Sequence, residues 1–266
     1  MSRTTTSSSN RWLALWSALV VIFVIGPLLL VFAVSLTTHD FMSWPDEGIS
    51  FKWYAQIAQR TEFLQAAWNS LLLGVGTAAA AVVLGLAASL GLNRSRFTGQ
   101  SLLRTVLMTP LFVPMILSGL AILAVFSQYG WSHQPSRLFV AHLALTLPYV
   151  IRTVSASLMA FDTRQELAAQ NLGATPWQTF RLVTLPQLGP GLFAGALFAF
   201  IVSFDNVGLS LFLSGTNFSV LPIQLYSYAS YNNDPVVAAI SVTMVLLSIL
   251  VVVGVEKTIG LEKLMR

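Results

Sequence analysis

Residues 161–191 read FDTRQELAAQNLGATPWQTFRLVTLPQLGPG, and how this stretch is understood decides how the rest of the chain is understood. It is too polar to cross a bilayer, yet it is no flexible linker, because it carries two consecutive helix-start patterns. Thr163, followed three residues on by Glu166, has the form of a capping box that satisfies the first free N–H groups of a helix. That helix is expected to stop at Gly173, the residue type best suited to a left-handed C-terminal position. Thr175, Pro176 at the first helical position and Gln178 then open a second helix. The stretch thus predicts helix, sharp turn, helix over 163–172 and 175–184, running toward Leu185 and Pro186, with Pro190 and Gly191 before the next apolar run. Caps of this kind occur on ordinary loop helices too. A rigid pair on which Ala168 and Ala169 offer a flat surface nevertheless suits docking to a partner better than mere connection.

Outward from this segment the chain is built for lipid. Of 266 residues, 55% are hydrophobic and 9% charged, against about 25% charged in an ordinary soluble domain, and mean hydropathy is +0.74. A spanning helix needs roughly 20 mostly apolar residues. Six runs qualify, at 12–36, 68–92, 102–126, 138–160, 192–213 and 236–255. The first has Arg3 and Arg11 ahead of it like a signal peptide, but its apolar core exceeds the usual length of about 7 to 15 residues, so it is expected to be an uncleaved anchor.

Basic residues orient the spans, because cytoplasmic loops are enriched in Lys and Arg. With a cytoplasmic amino terminus, the inside holds Arg3, Arg11, Arg94, Arg96, Arg104, Arg152, Arg164, Arg181, Lys257, Lys263 and Arg266, and the outside only Lys52, Arg60 and Arg137. The expected fold is therefore an all-α integral membrane protein of six transmembrane helices with both termini cytoplasmic. Residues 1–11 form an N-terminal tail, 12–256 a transmembrane domain containing the cytoplasmic loop 161–191, and 257–266 a C-terminal tail. Phe51, Trp53, Tyr54 and Ile57 predict a short amphipathic helix outside, suited to headgroup anchoring or to an external partner. Pro27, Pro110, Pro114 and Pro148 are expected to kink spans. Gly74, Gly76, Gly85 and the neighbouring alanines mark the second span as a close-packing helix.

Composition also excludes classes of chemistry. No cysteine is present, and His39, His133 and His142 have no metal-ligand spacing. The net charge of +4 arises from residues dispersed between apolar runs, which does not suit nucleic acid. No nucleophile, base or phosphate-binding loop motif appears, so neither a catalytic site nor ATP hydrolysis by this chain is expected.

Glu166, Ala168, Ala169, Leu172, Gly173, Leu185 and Pro186 together resemble the Glu-Ala-Ala loop of binding-protein-dependent ABC importer permeases. The resemblance implies that the loop forms coupling helices docking into a groove of an ATP-hydrolysing subunit. One position departs: Leu167 directly precedes the alanines, where the family has its glutamate, and Glu166 lies one residue earlier, rotated by about 100° on a helix. Further stretches look like the polyamine (spermidine/putrescine) branch: Ile49 to Tyr54, Asn69-Ser70, Pro110 to Pro114, Ser203-Phe204-Asp205-Asn206, and Leu221 to Tyr228. The family implies an assembly with a second, different permease subunit, two ATPase subunits that bind ATP and Mg, and a periplasmic substrate-binding protein, in the bacterial inner membrane. No cofactor of its own is expected. An ion-coupled secondary transporter stays as an alternative, although it calls for repeats and several intramembrane acids, and so does an importer of an amino acid or aminophosphonate.

Asp205 is the one clear mid-span carboxylate. A mid-helix aspartate costs about 2.5 to 3.5 kcal/mol on insertion scales, and each Leu, Ile, Phe or Val returns about 0.3 to 0.6. Thirteen of those between positions 192 and 213 outweigh it. Asp205, beside Asn206, is then expected either to line a translocation path or to fix packing with a neighbouring helix.

Overall fold

A computed structural model describes residues 7–215 and 217–259. The tail ends, with Arg3, Lys263 and Arg266, lie outside the described residues. Among those described, the chain is helical throughout, with one isolated bridge between Gly215 and Phe218. In order the helices are α1 (Ser7–Val34), α2 (Lys52–Gln59), α3 (Thr61–Arg94), α4 (Gln100–Met108), α5 (Met115–Gln128), α6 (Gln134–Ala160), α7 (Arg164–Asn171), α8 (Pro176–Thr179), α9 (Leu185–Gln187), α10 (Gly189–Phe204), α11 (Ser210–Leu213), α12 (Leu221–Tyr231) and α13 (Val236–Ile259). A π-type stretch, Phe180–Thr184, joins α8 to α9.

Four helices are long and apolar enough to cross a membrane, within Trp12–Val34, Thr61–Arg94, Gln134–Ala160 and Val236–Gly254. Two further spans exist if each of two bent pairs counts as one. The first bend falls where Pro110 and Pro114 are expected to kink a span, and it is a break sharper than a kink. In the third run, Gln100–Leu111 and Met115–Gln128 meet at 111°. Pro110 removes a helical donor, and Pro114, itself at ψ 129°, disfavours the helical region for the residue before it, so two prolines four residues apart break the helix where one only kinks it. Pro27 and Pro148 stand alone, and α1 and α6 continue through them.

The second bent pair, Pro176–Gln187 and Gly189–Phe204, meets at 63° at Leu188, ahead of the fifth run. Within the fifth run itself α10 stops at Phe204 and helix resumes only at Ser210. Asn206 directs its side-chain oxygen to the Leu209 N–H at 2.8 Å, a local bond that competes with helix continuation. Asp205 therefore stands at the end of a helix and not in its middle, and the mid-helix insertion cost does not apply to it.

The chain divides into two compact units, Met1–Thr61 with Ser227–Leu246, and Glu62–Tyr226 with Leu247–Arg266. In the first, α2 forms as the amphipathic pattern predicts, but Trp53 is buried and its indole N–H donates to the Thr37 carbonyl at 2.8 Å. Trp53 thus packs within its own unit instead of meeting headgroups or a partner. Lys52 bonds the Thr38 carbonyl and pairs with Asp40 at 2.7 Å, holding the Asp40 carboxyl below its usual range.

In the second unit the small residues act as expected. A Cβ on Gly85 would stand 2.6 Å from Val150 Cγ1, and one on Gly195 2.6 Å from Thr153 Oγ1 and 3.0 Å from Val150 Cα. α3 and α10 therefore approach α6 on glycine, as close helix pairs in membranes do. Leu73, Phe126, Leu138, Ala141, Leu209, Leu213, Val220 and Ile223 form a buried apolar cluster. Asn69 and Ser70 bond the chain around Ser219 to Leu221 to α3.

Candidate functional site

The helix pair between α6 and α10 is built largely as its sequence dictates. Gly173 has a φ of +92°, the left-handed position expected at the end of α7. Thr175 accepts from the Gln178 N–H at 3.3 Å while Gln178 Oε1 accepts from the Thr175 N–H at 2.8 Å, a complete capping box with Pro176 at the first helical position. The box expected at Thr163 does not form. Thr163 is itself helical and its side chain makes no cap, and Asp162 takes over by accepting the Arg164 N–H at 2.9 Å.

Glu166 is thereby released for another contact. Its Oε1 accepts from Arg94 Nη2 at 2.7 Å and from the Thr184 hydroxyl. Its side chain is 17% exposed, that of Arg94 35%. The carboxylate faces the end of α3, while Leu167, Leu172, Trp177 and Leu182 of the pair are all exposed, Leu172 at 89%, alongside the exposed Arg164 and Arg181. Ala168 is exposed beside them and Ala169 half-buried. Leu185 and Pro186 lie in the short α9, half-buried and exposed respectively, where Gln187 bonds back to Gln165. The seven loop residues singled out from sequence are thus brought to one segment, with Glu166 turned inward. Arg94 was missed because nothing in a cationic residue at a span's end announces a partner 72 positions away.

The two helix breaks meet in space. A Cβ on Gly208 would stand 3.2 Å from Met115 Cβ, and one on Gly119 3.1 Å from the Leu209 carbonyl. Asn206 is buried and points its amide nitrogen at Met115 Sδ, 3.4 Å away. Asp205 is exposed, its N–H bonded to the Ile201 carbonyl, and its carboxylate has no ion-pair partner among the described residues. His142, fully buried on α6, bridges the fifth-run break: Nδ1 lies 2.8 Å from Ser203 Oγ and Nε2 3.0 Å from Ser210 Oγ. A neutral imidazole satisfies both contacts, donating from one nitrogen and accepting at the other. Among the described residues, no three His, Asp or Glu side chains are grouped to hold a metal ion.

Comparison with known proteins bears on this arrangement. Residues 81–257 match the family described as "Binding-protein-dependent transport system inner membrane component". The chain is 31% identical over 237 residues to the spermidine/putrescine transport system permease protein PotC of Haemophilus influenzae, covering 87% of this chain and 91% of that one. It is 30% identical over 227 residues to the putrescine transport system permease protein PotI of Escherichia coli, covering 82% and 80%. Its fold is similar to that of a chain in a bacterial ABC transporter importing the acidic polysaccharide alginate, with a TM-score of 0.71, 17% identity and coverage of 96% and 99%.

Proposed function

The chain belongs to the family of binding-protein-dependent transport system inner membrane components, and on that premise we propose that it is the permease subunit of an importer for a small cationic amine of the spermidine/putrescine class. The likeness to permeases of those solutes at about 30% identity over most of the chain carries this reading. Six spans with both termini cytoplasmic put the helix pair of α7 and α8 on the inner side of a bacterial inner membrane. There its exposed Leu167, Leu172 and Trp177 dock an ATPase subunit. The complete transporter contains a second, different permease, two ATPase subunits and a periplasmic binding protein, and ATP and Mg bind to the ATPases alone.

Transport proceeds by alternating access. ATP binding closes the ATPase pair, α7 and α8 follow, and the spans pass from inward-open to outward-open. The two states differ in their contacts with the ATPase, since otherwise ATP binding would supply no coupling free energy. The solute passes where the interrupted third and fifth runs adjoin, as discontinuous helices do in other transporters. At that place the carboxylate of Asp205 and the partial negative charge at the C-terminal end of α10 favour a cation.

Reconstitution of the complete complex in liposomes tests this. Spermidine uptake that requires internal ATP and the binding protein is the expected result. Uptake driven by an ion gradient without ATP would overturn the importer. ATP-dependent uptake of an anion or an amino acid, with no competition from spermidine, would overturn the solute class.

A further inference from the structure

The ion pair between Arg94 and Glu166 joins elements that otherwise belong to different parts of the chain. Arg94 is the last residue of α3, Glu166 lies in the first turn of α7, and Thr184, the second donor to the same carboxylate oxygen, ends the π-type stretch beyond α8. The Arg94 guanidinium also stands over the ring of Phe161, 5.9 Å away, at the C-terminal cap of α6. One salt bridge of 2.7 Å therefore clasps the ends of two apolar helices and both halves of the coupling pair.

A mostly buried carboxylate holding two donors is a rigid contact, because loss of either charge leaves the other uncompensated. The position where the family has its glutamate holds Leu167, which is 60% exposed and uncharged. The outward face of the pair thus offers no acid to the ATPase at this turn, and the acid next to it is already engaged.

We propose that Arg94 and Glu166 form an internal strut that carries displacement of the α7–α8 pair to the end of α3, in place of an ion pair with the ATPase. This deepens the permease reading and rests on it. Glu166 is then a positioning residue: it sets the angle of the coupling pair to the span, while the exposed apolar side chains make the contact with the partner. Coupling free energies between distant sites are about 1 to 3 kcal/mol, or roughly 5- to 150-fold in an equilibrium.

The experiment uses the complete complex with its binding protein in liposomes, spermidine as probe, and uptake per ATP hydrolysed as readout. Arg94→Ala and Glu166→Gln should each assemble and hydrolyse ATP, yet lower that ratio by about five- to tenfold. Arg94→Lys, which keeps a cation for the single-nitrogen contact, should retain most of it, and the exchange Arg94→Glu with Glu166→Arg should restore at least half. Hydrogen exchange of amides 164–187, measured on the same complexes without substrate, should accelerate in the two charge-removing variants and slow again in the exchange. Unchanged ratios in the single variants would overturn the strut, as would an exchange variant no better than they are, because Glu166 would then be facing the partner. Unchanged hydrogen exchange would overturn it whatever the transport result. If the wild-type complex shows no ATP-driven uptake, the transport reading falls while hydrogen exchange still decides whether the strut exists.

Discussion

At Gly173 the backbone φ of +92° is open to glycine and strained for any β-branched residue, while a Cβ there would meet nothing within 4 Å. The effect of Gly173→Val is therefore conformational and not a clash, costing about 1 to 3 kcal/mol, and the chain relieves it by tilting α7 against α8. Membrane insertion should survive, because no residue of an apolar run changes, and binding-protein-stimulated ATP hydrolysis and uptake should both fall. Full uptake by Gly173→Val in liposomes would remove the coupling role of the turn. Asp205 poses the opposite case, a side chain with room and charge but no ion-pair partner among the described residues. Asp205→Asn, nearly equal in volume, should assemble and retain stimulated ATP hydrolysis while losing most spermidine uptake. Normal uptake by this variant would exclude the carboxylate from the path, and loss of assembly would assign it to packing against the second permease.

Helix breaks and helix contacts follow different rules of legibility. The close approach of α3 and α10 to α6 is written in small residues, Gly195 among them, with Val150 Cα 3.0 Å from where its Cβ would stand. Gly195→Val should overpack this contact at a cost of about 1 to 3 kcal/mol, seen as a lower thermal midpoint of the purified complex in detergent. An unchanged midpoint would mean that the pair separates freely. The breaks were harder to read. Hydropathy counts apolar residues without regard to continuity, so residues 102–126 and 192–213 pass as single spans although helix stops at Leu111 and resumes at Met115 in the one, and stops at Phe204 and resumes at Ser210 in the other. Pattern also overstated Thr163, whose capping role went to its neighbour Asp162, whereas at Thr175 the proline that follows leaves no competing geometry. His142 shows the limit of sequence: alone it is an isolated histidine, and only the fold reveals Ser203 and Ser210 on either side of the fifth-run break, one at each ring nitrogen. His142→Ala would leave two buried hydroxyls unpaired, each costing about 1 to 3 kcal/mol. It should lower the thermal midpoint and speed hydrogen exchange at 203–210. Unaltered exchange there would show that the break needs no clasp.

For the whole molecule, the two bent pairs decide topology. If each crosses the membrane, six spans result; if each turns back, four do, and every segment between the third run and the fifth changes sides. With a cytoplasmic amino terminus, six spans place eleven basic residues inside and Lys52, Arg60 and Arg137 outside. Four spans would instead put Lys52, Arg60, Arg152, Arg164 and Arg181 outside and bring Arg137 in, a weaker asymmetry that strands Arg164 and Arg181 of the helix pair away from any cytoplasmic ATPase. The absence of cysteine makes the question direct. Trp53 is a poor reporter, being buried, whereas Glu47, Ser132, Gln170 and Asn232 are all exposed. Single cysteines at Glu47, Ser132 and Asn232 should react with an impermeant thiol reagent in intact cells, and one at Gln170 only after permeabilisation. Positions 47 and 232 lie outside in both arrangements and serve as controls, so the discriminating sites are 132 and 170. Labelling at 170 with protection at 132 would establish four spans and place α7 and α8 on the outer face, where no ATPase could reach them.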